Sequence, residues 1–504
     1  MPRSARRKRP LEWSRLWTVV PEQGQSSGTG EEERERAAGI MPPMEVNRRR
    51  LLSTAGILLL GLAACAPGDT TSRAPGDGRS GRVVIVGVDG ADWRLIEPLM
   101  ADGRMPHMAR IVREGASGTL LSMEPTQSPA LWTTIATGVG PERHGIHGFV
   151  VPKDKEARSA ASAAHLMDGE SGGEESLRPV TSNMRTAPAF WNILSSLDLR
   201  AGVVGWLVTW PAEPVNGFIV SSYLPYIYSW STGRPLKGTI VEGIPRQTFP
   251  EGLIEEIDAL KVRPADLEME MVRRFYDPSR IAGLGPEERE CVTGFLWSLA
   301  CDETYRRIGL HLFGRYPVDV FAVYFGGVDV ASHRFWKFAR PGDLDYGVRP
   351  GDVEVLGGVI DAYYRYVDDL IGEYLGRLGP RDTLVMLSDH GFQPVFVPDR
   401  PSTSGHHRLE GIVALVGRGI RSGARIEGAR LVDVLPTLLV LLDQPVSQGL
   451  EGRPLLSALD PAFVDAHPVR TVNDYGLTAA APGPDASDLD RNVLERLRSL
   501  GYIN

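Results

Sequence analysis

The chain has 504 residues and only three cysteines, Cys65, Cys291 and Cys301. That is too few for a disulfide scaffold. Cys291 and Cys301 stand ten apart in a helix-like stretch, about 15 Å along such a helix and too far to bridge. Past the N-terminal region there is no long apolar run of the roughly 20 residues that a membrane-spanning helix needs, which excludes a polytopic membrane protein. Basic charge is also short: 55 Lys and Arg face 63 Asp and Glu, for a formal net charge of -8. A general binder of nucleic acid needs the opposite balance to neutralise phosphate, so no nucleic-acid partner is expected. Nor is there a repeat at a solenoid period. What is present, 42% hydrophobic and 23% charged residues, is the composition of a sizeable globular enzyme rather than a disordered chain.

The N-terminal region stands apart. Residues 1–43 are polar and rich in Arg and Glu, without apolar periodicity, and read as a disordered extension. Residues 44–65 combine Arg48-Arg49-Arg50, a short apolar stretch from Leu51 to Ala64, and Leu62-Ala63-Ala64-Cys65. A basic start, an apolar stretch too short to span a bilayer and small residues before a cleavage point make a secretory signal. Because such signals sit at the N-terminus, a physiological start at Met41 or Met44 is expected. Leu-Ala-Ala-Cys resembles the lipobox of bacterial lipoproteins, which implies lipidation of Cys65 and a protein exported to the cell envelope, anchored to the membrane in the periplasm or on the outer face. The Arg pair before Leu51 is a weaker match to a twin-arginine signal. Residues 66–81, rich in Gly, Pro, Ser, Thr and Asp, read as a flexible tether.

From Arg82 short β-branched runs alternate with segments of helical length. Val83 to Val88, Gly202 to Trp206, Val318 to Phe325, Thr383 to Leu387 and Ile412 to Val416 are almost continuously apolar. Such strands are buried on both faces, which predicts an α/β fold: a three-layer sandwich with a mostly parallel central sheet. The catalytic domain is expected over 82–460, with a polar insertion at about 153–185, a helical cap insertion at about 223–286 and a C-terminal extension over 461–504.

Ligands collect at the carboxyl ends of strands in such sheets. The first run leads into Asp89, the third towards Asp329 and His333, and the fourth into Asp389 and His390. Carboxylate and imidazole suit Zn²⁺ or a similar divalent ion. An Asp after one strand is more often a turn residue or a helix cap; three strand ends carrying such residues are a pattern. Ser128, followed by Pro129, opens a helix after a loop, with Ser128 expected at the N-cap. Its hydroxyl either caps the helix or serves as a nucleophile facing phosphate bound at the helix start.

In order, Val-Asp89-Gly, Ser128-Pro before Ala-Thr-Gly138 and Arg-His144-Gly-Ile, Asp329-x-x-x-His333, Ser-Asp389-His390-Gly, and Gly405-His406-His407-Arg408-Leu409-Glu410-Gly411 resemble the alkaline phosphatase superfamily. Within it they resemble the type I phosphodiesterase/nucleotide pyrophosphatase branch, over about 82–455. The resemblance implies two divalent metal ions, most often Zn²⁺. Asp329, His333 and His407 would hold one, and Asp89, Ser128, Asp389 and His390 the other, with His406 the alternative to His407. It also implies a small phosphoester substrate and attack by Ser128 through a phosphoryl or nucleotidyl intermediate. His144 is expected to be structural. Nucleotide pyrophosphatases carry an Asn further along the nucleophile helix; three after Ser128 this chain has Leu131, so the backbone N–H of Ser128 or Ala130 is the expected substitute.

Sulfatases of the superfamily need Pro two after and Arg four after the nucleophile; here Pro129 is one after and Trp132 four after. Arg334 and Lys337 are the expected phosphate contacts, and Trp206 and Trp210 are either ring-stacking groups or packing. The alternatives within the superfamily are a phosphomonoesterase, a phosphonate hydrolase and a phosphoryl transferase. From another class comes a catalytically inactive, lipid-anchored binding protein.

Overall fold

Five of the six residues from Val83 to Val88 are β-branched, and the strand they form is buried along its whole length. That is the composition a strand needs when both faces of its sheet are covered. The computed structural model describes residues 81–152, 177–224, 227–228, 238–239, 244–396 and 403–477, all within one compact unit. The expected N-terminal extension, signal peptide, lipidated Cys65 and all but the last residue of the tether lie outside the described residues, as do 153–176 of the polar insertion and the end of the C-terminal extension.

The strands used below are β1 (Val83–Val88), β2 (Ala116–Leu121), β3 (Ala201–Val204), β4 (Gly217–Val220), β5 (Thr248–Phe249), β6 (Val320–Phe325), β7 (Thr383–Leu387), β8 (Gly391–Pro394), β9 (Gly405–Arg408), β10 (Glu410–Gly417) and β11 (Ala424–Arg430). Nine of them form one sheet in the order β11-β2-β10-β7-β1-β6-β3-β4-β5, and β8 pairs with β9 in a separate hairpin. Parallel pairing runs from β7 through β1, β6 and β3 to β4, and joins β11 to β2. The pairs β7–β10, β10–β2 and β4–β5 are antiparallel. The sheet is therefore mixed but mostly parallel, as the apolar runs predict.

Helices α1 (Ser128–Thr137), α2 (Pro286–Arg315), α3 (Gly327–Ala339), α4 (Val359–Leu375) and α5 (Val434–Leu441) cover it. Side chains alternate between the faces. Val83 and Ile85 of β1 and Val320 and Ala322 of β6 join Leu131, Trp132 and Ile135 of α1 and Leu435 and Leu438 of α5 in one core. On the other face, Phe321 of β6 packs against Phe313 of α2 and Tyr374 of α4, with ring centroids 5.1 and 5.8 Å apart. Each fully buried aromatic of this kind stabilises by roughly 2–3 kcal/mol. These are the three layers.

Asp302 of α2 reaches across to α3. Its carboxylate accepts from the amides of Gly326 and Gly327, both at 3.0 Å, and from Tyr363 Oη at 2.9 Å. This satisfies N–H groups that a helix start leaves unpaired. Burial pushes the Asp302 carboxyl up to about 7 against the pull of those three donors. Gly327 is required here, because a Cβ would collide with Tyr363 Oη. The described part of the second insertion packs Phe275 and Tyr276 on Phe295 of α2, at 5.1 and 5.9 Å. Residues beyond 460 also belong to the unit: Thr471–Val472 pairs in parallel with Val446–Ser447. Cys291 and Cys301 are both buried, and no helix among the described residues is long and apolar enough to cross a membrane.

His144 closes the turn after α1. Its Nδ1 accepts from the Ile146 amide at 3.1 Å, and its Nε2 meets Thr134 Oγ1 at 3.0 Å. Burial, reinforced by His147 and Arg185, pushes its pKa down to about 3. The folded state therefore refuses a proton that the unfolded chain accepts below about 6.5. Stability from this residue is complete above that pH and falls by about 1.4 kcal/mol per unit as pH drops towards 3. In urea unfolding between pH 7 and 4, the advantage of wild type over His144→Gln should shrink with that slope; a pH-independent difference would contradict the assignment.

Candidate active site

β1 lies between β6 and β7, with Val88 beside Phe325 and Gly87 beside Leu387. This register brings three strand ends side by side. Asp89 follows β1 directly, Asp389 and His390 follow β7, and Asp329 and His333 sit one turn apart on α3. β9 adds His407, whose pairing partner in the hairpin is Phe392. Ser128 comes from the start of α1. The structure thus gathers all seven residues expected to hold metal, from five separate segments.

Ser128 is the first residue of α1, and Gln127 is the cap. The expected N-cap position is off by one residue, and the hydroxyl is not spent on the helix: Oγ donates to Asp89 Oδ1 at 3.4 Å. The other Asp89 oxygen, Oδ2, accepts from Trp132 Nε1 at 3.0 Å and from Tyr324 Oη at 2.6 Å. Asp389 Oδ1 accepts from the Gly90 amide at 3.4 Å.

The three histidines are oriented alike. The Nδ1 of His333 lies 2.8 Å from the Gly405 carbonyl, that of His407 2.8 Å from the Thr126 carbonyl and that of His390 3.2 Å from the Gly391 carbonyl. A carbonyl only accepts, so each Nδ1 carries hydrogen and each Nε2 is turned inward. His390 Nε2 is 3.2 Å from Asp89 Oδ1, 3.6 Å from Asp389 Oδ2 and 3.9 Å from Asp329 Oδ1. His407 Nε2 is 3.2 Å from Asp329 Oδ1 and 2.8 Å from His333 Nε2. Two groups of facing ligand atoms result, Asp329–His390–His407 and Asp89–Asp389–His390. His333, 3.4 Å from Asp329 Oδ1, borders the first.

Charge is crowded here. Burial and the nearby Asp89 hold the Asp389 carboxyl well above the usual carboxylate range. Burial opposes charge on His390, but Asp389 and Asp89 raise its pKa to about 10. Burial would raise Asp329 as well; His333 and His407 outweigh it and hold that carboxyl well below the usual range. Burial also opposes the charge on His333, yet Asp329 raises it, while burial and His390 push His407 down to about 4. Asp329 Oδ1, Asp389 Oδ2 and His390 Nε2 are buried without a hydrogen-bond partner. Buried polar atoms of this kind call for an explanation, and a bound cation is one.

His406 is exposed and stacks flat on His407, 5.5 Å between ring centroids, so His407 is the one directed at Asp329. Other expectations do not hold in this geometry. Lys337 Nζ is 2.6 Å from Glu287 Oε1, and the Arg334 guanidinium packs over Gly294, so both face α2 instead of the ligand groups. For Arg334 the cause is helical phase, about 100° round α3 from His333; Lys337, one turn after His333, is drawn aside by Glu287. The Ala130 amide donates to the Gln127 carbonyl at 2.8 Å and is not available to substrate. Leu131 is buried in the core. Trp206 and Trp210 are core residues, their indoles donating to the Trp132 and Pro245 carbonyls at 3.2 and 3.0 Å. Trp132 and Tyr324 were not among the expected site residues, although both carry a signal. Trp132 is four after Ser128 on one helix face, and Tyr324 is the one polar side chain in the buried run of β6.

A mostly parallel sheet with these residues at its carboxyl edge is the arrangement expected of a phosphoester hydrolase of the alkaline phosphatase superfamily. Residues 83–430 match the model of the type I phosphodiesterase / nucleotide pyrophosphatase family, and the chain belongs to that family. No curated protein matches the chain. Among solved structures it is similar to murine ectonucleotide pyrophosphatase / phosphodiesterase 5, described as inactive and in complex with AMP: 14% identity, 72% of this chain and 95% of that one covered, TM-score 0.41. The human protein of the same name gives 12% identity, 77% and 99% coverage and a TM-score of 0.42. Phosphonoacetate hydrolase from Sinorhizobium meliloti 1021, in complex with phosphonoformate, gives 16%, 64% and 59%, and 0.36.

The two adjacent histidines separate cleanly. His407→Ala should lower zinc affinity at one site by at least about tenfold, whereas His406→Ala should leave zinc stoichiometry intact in calorimetric titration. Equal losses in both would show that the observed orientation does not select the ligand.

Proposed function

We propose that the chain is a two-metal phosphodiesterase that works through a covalent Ser128 intermediate. The observation that carries this reading is the set of inward-facing ligand atoms, three of them buried without partners. The donors fit divalent ions of the zinc type: mixed imidazole and carboxylate, with each imidazole already oriented by a backbone carbonyl. Asp329, His333 and His407 would hold one ion, and Asp89, Ser128, Asp389 and His390 the other. When bound, such ions neutralise the phosphoester and lower the pKa of the groups that attack and leave.

The chain's own residues do the rest. Ser128 sits at the start of α1, where the helix dipole favours the negative charge of a phosphate. Its Oγ, turned to Asp89, is the atom that would attack phosphorus, expelling one ester group as its alcohol, which takes up the hydroxyl proton, and leaving the substituted phosphoryl or nucleotidyl group on Ser128; water then hydrolyses that ester. Leu131, buried in the core three residues after Ser128, supplies no side-chain donor; with no Asn there, we do not restrict the substrate class to nucleotides. The monoesterase, phosphonate hydrolase and transferase alternatives would use the same residues. We further propose that the chain is exported and anchored through Cys65, on the strength of Leu62-Ala63-Ala64-Cys65 alone. An intact peptide spanning Ala64 and Cys65 in the native protein would refute that.

Turnover of bis(p-nitrophenyl) phosphate should exceed that of p-nitrophenyl phosphate, and both should fall by roughly 10³-fold or more in Ser128→Ala. Mass spectrometry after acid quench should find the adduct on the Ser128 peptide of wild type. Elemental analysis should give two metal ions per chain. A protein with fewer than one ion and no phosphoester turnover would overturn this function.

A further inference from the structure

The two oxygens of Asp89 live in different surroundings. Oδ1 faces the Ser128 hydroxyl and His390 Nε2, at 3.4 and 3.2 Å. Oδ2 is taken by two donors with rigid ring frames, the Trp132 indole and the Tyr324 phenol. Those rings support each other edge to face, 5.0 Å between centroids and 87° between planes, within the range where aromatic pairs attract. The indole is wholly buried. The main chain of β1 makes way for it: a Cβ on Gly87 would stand 2.6 Å from the indole ring. A glycine in the middle of a central strand is otherwise unfavourable, so this position is given over to seating Trp132.

We propose that Trp132 and Tyr324 are positioning residues: together they hold Asp89 as a one-oxygen metal ligand and tie that ligand to the nucleophile helix. With Oδ2 occupied twice, the carboxylate cannot turn to present both oxygens, so only Oδ1 is offered to the ion. Because Trp132 and Ser128 are four apart on α1, the same hydrogen bond sets the helix phase that points Oγ at Asp89. Outer donors of this type commonly change metal affinity by roughly 10–100-fold. This rests on Asp89 being a metal ligand, as proposed above.

The test uses the full chain, stripped of metal and titrated with zinc alone. Calorimetry reads affinity, and ¹⁹F NMR of 5-fluorotryptophan-labelled protein reads the indoles. The chain has ten Trp residues, and the resonance missing in Trp132→Phe identifies Trp132. Tyr324→Phe removes a single oxygen and decides the matter even should Trp132→Phe fail to fold. Zinc should shift the Trp132 resonance. Tyr324→Phe should weaken one of two zinc sites by roughly 10–100-fold, with the thermal midpoint of the metal-free protein kept. A purely structural role would lower that midpoint and leave affinity and resonance alone. Wild type that binds two zinc ions while Tyr324→Phe matches it, or a Trp132 resonance indifferent to zinc, would overturn the clamp alone. Wild type that binds no zinc would overturn the metal reading of Asp89 and the clamp with it.

Discussion

Asp89, Asp329 and Asp389 share one small volume, each with an oxygen within 3.9 Å of the same atom, His390 Nε2. Acidic groups this close and this buried repel one another and lose their hydration, a cost of several kcal/mol that a fold sustains only with compensation. Much else in the molecule answers that cost. Imidazoles approach from three segments, Trp132 and Tyr324 donate to the outer oxygen of Asp89, and the Gly90 amide reaches Asp389. What these groups leave uncompensated faces inward, where the proposed cations would complete the balance. The chain as a whole is acidic; at this point its acid is organised to attract positive charge and, through it, an anionic phosphoester.

The crowding can be arranged because of the sheet. Parallel strands in fixed register end at one edge, so residues hundreds of positions apart arrive together without a loop having to bridge them. Loops contribute only the pieces that need a different approach: the start of α1 for Ser128 and the β8–β9 hairpin for His407. Asp92 anchors that hairpin from its buried position, accepting from the Phe392 amide at 3.0 Å and from Arg408 Nη1 at 3.0 Å.

Legibility in the sequence followed the same division. The strands β1, β6 and β7 stand out as apolar runs, and the acids and histidines after them are visible because a polar residue ending such a run needs a reason. His407 has no such run before it; family resemblance, not spacing, singled it out. Arg334 was misplaced because sequence proximity to His333 says nothing of helical phase, and Lys337, which shares that phase, because its long side chain reaches Glu287 instead. The orienting partners of the histidines are backbone carbonyls, which leave no mark in residue identity. Trp132 and Tyr324 look like core residues, and are; their polar atoms matter only once Asp89 is known to lie beside them.

The grip of Asp302 on Gly326 and Gly327 has a consequence for how such an enzyme can diversify. Because the turn before Asp329 is fastened to a thirty-residue helix, the position of α3 is set by the scaffold and not by the insertion that precedes that helix. Exposed residues of that insertion can therefore change while Asp329 and His333 keep their place, whereas Phe275 and Tyr276, packed on Phe295, are tied to the same helix. In this architecture α2 is the beam that carries the insertion on one side and fixes the turn before Asp329 on the other.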